Sequence, residues 1–455
     1  MSSLISRITF SLLLCLGSTG FCQTPVVTTA AGTRTWTTTD GRLFQATLLS
    51  SDGVQAVLRL ANGQTGSLAL VKLSPTDQVF VRTSLGMNTP LQYRAGDLKM
   101  TEAKSGPLLQ PEKRIWPVKV EPDSIALEVK LVSEVSAAQQ YVYHSQNFEF
   151  LAQDKLIGPV MKEVARTFEA TRSLLEALPW GIQPKPPADL GYYRAKFYVD
   201  RKHYIEEGGP VNSGGVYFRK DRVFRIPFQS LGLEMRGKVW VKNENYNNQT
   251  IVHEATHQMM HDFLDFMPIW AVEGTAEYTS MLPLHNGRFA SGSHERGIKD
   301  YLKNYQERSG SFADLVSPLE LLRMTSEEWH QRSNTGGREQ SRLYFSACML
   351  VYFFSHLDGD RHGTAFLQYM DKLREGRDAW AEFFKQPGVQ RNPDGTFSYP
   401  RSLPMPAQAM SEAYGIEQVE VLINGRDDAQ LKRAFADGFK KIGITKPPST
   451  PARPL

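Results

Sequence analysis

The stretch Thr250 to Tyr278, TIVHEATHQMMHDFLDFMPIWAVEGTAEY, decides how this chain is read. It carries His253, Glu254 and His257 in the order HExxH, and fifteen residues separate His257 from Glu273 in a second motif, WAVEGTAEY. On an α-helix, His253 and His257 fall about 40° apart on one face and roughly 6 Å apart along the axis. Two imidazoles so placed can close on one metal ion. Asp262 to Met267 is long enough to end the first helix and turn, and Pro268 suits the first turn of a second helix running back along it. Glu273 would then be aimed at the histidine pair.

Zinc in a catalytic site takes three protein ligands at about 2.0–2.2 Å and keeps a fourth position open. His253, His257 and Glu273 are the expected ligands. Glu254, beside the first histidine and rotated toward where a metal-bound water would sit, is expected to act as a general base rather than a ligand. Glu277 shares the face of Glu273 four residues on, where its carboxylate can accept the outer N–H of a ligating histidine. His261 continues the i, i+4 series but lies about 12 Å along the axis from His253, too far to share an ion, and reads as a partner at the rim or a surface residue. Gly274 is expected where the two metal-bearing helices approach closely, since a mid-helix glycine otherwise costs about 1 kcal/mol against alanine.

The HExxH helix followed by W-x-x-E-G-x-A-E-Y resembles the gluzincin metallopeptidases, in particular the peptidase-MA-like group. That resemblance implies a zincin fold, a zinc ion and Glu273 as third ligand. Aminopeptidase-type gluzincins place the third ligand a few residues further on, so the interval here points to another branch.

Composition is ordinary globular material, 41% hydrophobic and 22% charged, and a net charge of +4 over 455 residues makes no patch that argues for nucleic acid. Residues 1–22 have the layout of a secretory signal peptide: Arg7, the apolar run Ile8 to Leu16, then Gly17, Ser18, Thr19 and Gly20. The run is too short for a stable membrane span. Cys22 invites a lipid-attachment reading, which Phe21 fits poorly. Of three cysteines only Cys348 lies clear of this segment, in an apolar stretch that suits a buried thiol. Export without disulfides suggests a bacterial envelope protein, periplasmic or extracellular.

A tether at 23–33 leads to a β region at 34–86. Asp40-Gly41, Asp52-Gly53 and Asn62-Gly63 mark its turns, and apolar residues alternate along Phe44, Ala46, Leu48 and along Val54, Ala56, Leu58, Leu60. Leu73 to Gln78 reads as a helix cap with a first-turn proline. Arg34 to Trp36, Asp40 to Arg42, Phe44 to Ala46 and Leu73 to Gln78 together resemble the Sla-one homology domain, which implies an SH3-like barrel with a ligand of unknown kind. Trp36 suits a binding groove or the core equally. Residues 87–122, with five prolines, read as a linker containing a short strand near Arg114 to Val120.

From 123 to 445 the chain is expected to form the metal-bearing domain. Gln139 to Phe150 has strand character, Leu156 to Leu178 that of an amphipathic helix, and Tyr193 to Val199 that of a half-buried strand. Ser213 to Phe218 and Arg222 to Phe228 look like paired strands. In gluzincins a strand at this position borders the cleft and pairs with substrate backbone, so Gly214, Gly215, Val216 and Tyr217 are candidates for that edge. No acidic residue stands there to grip an amino terminus, against aminopeptidase specificity. In Leu343 to Val351 the pattern resembles the gluzincin helix that carries an oxyanion-stabilising tyrosine, which would be Tyr344. Helices follow at Thr364 to Leu373, Ala379 to Phe384, Pro406 to Tyr414 and Ala429 to Ile442, before a proline-rich tail at 446–455.

The expectation is therefore an α+β protein: a small β-barrel, then a zincin domain ending in helices, hydrolysing peptide or protein substrates. Its rivals are a catalytically weak scaffold of the cell envelope and a zinc amidase acting on cell-wall material.

Overall fold

The computed structural model describes residues 33–445 apart from 39–42, 52–54, 61, 75–76, 79, 82–109, 244, 309–311 and 392–396. The segment read as a signal peptide, the tether up to residue 32, Cys22, the turns Asp40-Gly41 and Asp52-Gly53, all of 87–109 and the tail lie outside the described residues. The chain divides into two units, Met1–Gln92 and Tyr93–Leu455. Among the described residues no helix is long and apolar enough to cross a membrane.

In the first unit, β1 (Arg34–Thr37), β2 (Leu43–Ser51), β3 (Gln55–Leu60) and β4 (Thr65–Ala69) form an antiparallel sheet in that order. The period-two residues Ala46, Leu48, Ala56 and Leu58 face inward and are buried together with Leu70, Leu73 and Val81. Trp36 is fully buried and donates from Nε1 to the Ala46 carbonyl at 2.9 Å, which settles it in the core. Gly63 turns β3 into β4 at a φ of 83°. Asp77 explains the end motif. It is buried, accepts from Arg34 Nη2 at 2.7 Å and from the Thr37 backbone N–H at 2.6 Å, and so ties β1 to the chain beyond β4.

The second unit is built on a six-stranded sheet in the order β5-β6-β7-β8-β10-β9: β5 (Lys130–Val135), β6 (Gln140–His144), β7 (Phe148–Ala152), β8 (Tyr193–Tyr198), β9 (Val216–Phe218) and β10 (Val223–Pro227). The segment read as one strand at 139–150 is a hairpin, because Ser145 to Asn147 break it. Strands β7, β8 and β10 are mutually parallel, the rest antiparallel. Helix α1 (Gly158–Ala177), opened by Pro159 in its first turn, carries the crossover from β7 to β8. Its Phe168 meets Phe148, Phe150, Phe197 and Phe224 of three strands.

Strand β8 was expected to be half-buried, and it is buried on both faces because it runs between β7 and β10. Its Arg194 is accommodated by an ion pair to Glu149 at 3.0 Å, both side chains being within 2% of full burial. Residues 111–122 correct the linker reading. Trp116 donates to the His362 carbonyl at 2.8 Å, Arg114 pairs with Asp371 at 2.6 Å, and Val120 bridges to Phe289, so this proline-bearing segment is packed on the second unit. The strand expected there shrinks to that one bridge.

Helices complete the unit: α2 (Arg201–Glu206), α3 (Gln249–Met259), α4 (Ile269–Met281), α5 (His294–Arg308), α6 (Pro318–Arg323), α7 (Ser326–Ser333), α8 (Gly337–His356), α9 (Thr364–Phe384), α10 (Glu412–Glu417), α11 (Glu420–Ile423) and α12 (Asp428–Lys441). The two helices read at 364–373 and 379–384 are one, α9, whose Gly376 lies against Tyr414. The helix read from Pro406 starts only at Glu412. Cys348 is fully buried in α8.

Where α5 meets the end of α8, the rings of His294 and His356 stack at 3.8 Å, and His356 Nε2 bonds the Tyr278 hydroxyl at 2.8 Å. Burial, then the neighbouring His294, pushes His356 well below the usual histidine range. The unfolded chain takes a proton at this residue near pH 6.5 and the folded chain does not, so stability is full above about pH 6.5 and declines below it, by on the order of 1 kcal/mol per pH unit. We expect the melting temperature to fall between pH 7.5 and 5.5, and His356→Gln to flatten that fall. Equal losses in the two proteins would rule the pair out as the cause.

Candidate metal centre

Helix α3 presents His253 and His257 on one face, and α4 returns beside it through His261–Phe263 and Pro268. The two helices are pinned at a buried point where the hydroxyls of Thr256 and Thr279 meet at 2.8 Å. That placement carries Glu273 to the histidine pair. His253 Nε2 and His257 Nε2 lie 3.0 Å apart, and Glu273 Oε2 lies 3.3 and 3.4 Å from them. A tetrahedral ion with bonds of about 2.0–2.1 Å needs donors roughly 3.3 Å from one another. The triangle has that size.

Glu273 Oε2 is buried and meets neither imidazole in hydrogen-bond geometry. Burial would push the Glu273 carboxyl up, yet the charge of His257 and contacts to both imidazoles hold it well below the usual carboxylate range. Burial would likewise push His253 down, but Glu273 and Glu277 carry it well above the histidine range. The group therefore demands positive charge at its centre, from a proton or a metal ion. Among the described residues, this is the cluster of histidine and carboxylate side chains able to hold a metal.

The surrounding residues orient these three. Glu277 Oε1 lies 3.2 Å from His253 Nδ1, as expected of a partner that fixes the tautomer and leaves Nε2 free. Its other oxygen accepts from the Tyr301 hydroxyl at 2.5 Å. Tyr301, on α5, has no signature in the sequence beyond helical phase. Glu254 stands outside the triangle, and its Oε2 accepts from the Tyr217 backbone N–H at 2.7 Å. Burial raises the Glu254 carboxyl above the usual range, against the pull of His253, His257 and that N–H.

Strand β9 is an edge of the sheet beside this site, antiparallel to β10 as expected. Gly214 and Gly215, just before it, line the same cleft of about 480 Å³ as His253, Glu254, Glu277 and Tyr344. A side chain at Gly214 would approach Thr250 on α3 at 3.2 Å, and one at Gly215 the Phe224 ring at 3.0 Å. The side chain of Tyr217 is buried rather than presented to the cleft, and its hydroxyl bonds His261 Nδ1 at 2.8 Å. That contact holds His261, which does not line the cleft of His253 and Glu254. Tyr344 on α8 bonds through its hydroxyl to Glu273, and its ring lies over His253 with centroids 6.2 Å apart.

Gly274 is required for a different reason from the one expected. A Cβ there would lie 2.6 Å from the Ala347 carbonyl oxygen and 2.8 Å from Val351, both on α8, so the close approach is between α4 and α8 rather than between the metal-bearing helices. Gly274→Ala should destabilise by about 1–3 kcal/mol through overpacking, outweighing the gain in helix propensity; a raised midpoint in urea would contradict this packing.

We expect one divalent ion per chain by elemental analysis after dialysis, loss of it in His257→Ala and Glu273→Ala, and about 10- to 100-fold weaker retention in Glu277→Gln. Undiminished retention in Glu273→Ala would exclude it as a ligand. No protein family, curated protein or solved structure matches this chain.

Proposed function

We propose that this chain is a zinc-dependent peptidase of the gluzincin kind, exported by its N-terminal segment and carrying an SH3-like module of the Sla-one homology type ahead of a zincin domain. The observation that carries the reading is the triangle of His253, His257 and Glu273, with a separate carboxylate, Glu254, beside it on the cleft and aligned by a backbone N–H. A structural zinc site is usually closed by four protein ligands and has no use for a neighbouring base. This argues against the scaffold reading.

His253, His257 and Glu273 would hold the ion, which when bound would supply a Lewis acid for the scissile carbonyl and lower the pKa of water at the site. Glu254 takes the proton of the attacking water and returns it to the leaving amine. Its raised affinity for protons suits a group that must carry one between two steps. The Tyr217 N–H keeps one carboxylate oxygen occupied and directs the other into the cleft. Glu277, itself held by Tyr301, stops His253 from turning. Tyr344, already donating toward negative charge at Glu273, is the group placed to donate to a developing oxyanion. Strand β9 lies at the edge of the sheet, where an extended substrate would pair with it through the groups other than the Tyr217 N–H, which Glu254 holds.

Purified protein should cleave members of a mixed peptide pool, with loss on chelation and recovery on adding zinc. Glu254→Gln should keep the metal and lose about 10²- to 10⁴-fold in rate. Wild-type protein as inert as this variant on peptides but active on cell-wall fragments would favour the amidase, and inertness on both the scaffold.

A further inference from the structure

Among the described residues that line the cleft of His253 there is no lysine or arginine, and the carboxylates there are Glu254 and Glu277. Both are engaged. Glu277 has one oxygen 3.2 Å from His253 Nδ1 and the other accepting from the Tyr301 hydroxyl at 2.5 Å. Glu254 has one oxygen on the Tyr217 N–H at 2.7 Å, which leaves the other for the proton transfer proposed above. Cations stand nearby but outside the lining. Arg201 donates to the carbonyls of Val211 and Ser213, and Arg342 is bonded to Glu339 at 3.1 Å. Arg338 and Lys303, 77% and 74% exposed, lie in solvent beside Asp314 and Glu307.

This set of charges decides what can settle in the cleft. An enzyme that trims chain ends holds an ammonium or a carboxylate at a fixed place, which takes a charge-assisted hydrogen bond to a group of opposite sign. Here a free amino terminus could be neutralised only by the base itself, and a free carboxyl terminus meets no cation in the wall. Either would lose water without gaining a partner, at a far higher cost than bringing in a neutral amide. A side-chain carboxylate is no better placed. Even with a divalent ion bound, the negative charges of Glu254, Glu273 and Glu277 outnumber its positive ones, so the site repels a further anion. What the wall offers instead is neutral: the amides of Asn212, Asn304 and Gln340 and the hydroxyls of Ser213, Thr250 and Ser341. Such groups suit the N–H and C=O of a peptide backbone.

We propose that the cleft takes an uncharged internal stretch of polypeptide, so that the enzyme cuts within chains and discriminates against a chain end or a side-chain carboxylate next to the bond it breaks. This rests on the peptidase reading and adds to it the mode of attack and the class of substrate. Gln340, exposed near the start of α8 and part of the wall, is the position at which the selection can be altered.

The test uses the peptide cut fastest from a mixed pool, with its products mapped by mass spectrometry. Blocking both ends, by acetylation and amidation, should leave the cut at the same internal bond and at a comparable rate. Asp in place of Asn on either side of that bond changes charge but hardly shape, and should slow cleavage by about tenfold or more. Gln340→Arg puts a cation in the wall and should shrink the Asn-to-Asp ratio by about threefold or more, read within the one variant so that any general loss of activity cancels. Trimming from an end that stops when the ends are blocked, an Asn-to-Asp ratio near one, or a ratio unmoved in Gln340→Arg would each overturn the proposal while leaving a zinc peptidase in place. No cleavage of any peptide, free or blocked, would overturn the peptidase reading and this proposal with it.

Discussion

Everything in the second unit answers to one electrostatic demand: two imidazole nitrogens and a carboxylate oxygen, drawn from neighbouring helices, are held within 3.0–3.4 Å of one another away from bulk water. Such a group is unfavourable unless positive charge sits at its centre, so the fold must hold it together by other means. It does so by packing α4 against α8 with no intervening side chain at Gly274, and by the buried contact of Thr256 with Thr279. None of Gly274, Thr256 and Thr279 is itself a donor to the centre. Framework and site are thus separable parts of the same two helices.

Local patterns in the sequence were enough for the parts of the site that lie on one helix or repeat at helical phase. The His253–His257 spacing, the turn before Pro268 and the position of Glu277 follow from 3.6 residues per turn, and the structure brings Glu273 to the pair as the antiparallel reading requires. What local pattern misses is contact between distant segments. Tyr301 reaches Glu277 from 24 residues further on, and the Tyr217 N–H reaches Glu254 from 37 residues before it, as a backbone group that no residue type announces. Gly274 was rightly marked as a close approach, but the partner helix begins more than sixty residues later.

The larger misreadings have the same origin. Prolines between 111 and 122 suggested a linker because local chain stiffness is visible and the docking of Trp116 and Arg114 is not. Strand β8 looked half-buried because its polar residues alternate, and Arg194 passes for a solvent-facing residue until Glu149 is found beside it. For the N-terminal unit the alternation of Ala46, Leu48, Ala56 and Leu58 was a sufficient guide to the inner face, while the place of Trp36 depended on a hydrogen bond across the sheet.

The short length of β9 has one more consequence. The outer margin of a sheet normally exposes a row of unpaired amides and carbonyls that can recruit the same margin of another molecule and propagate. Here that margin is three residues long, and its central outward N–H is already taken by the side chain of Glu254. The carboxylate that marks the cleft thus also blunts the seam along which copies of this protein would otherwise polymerise.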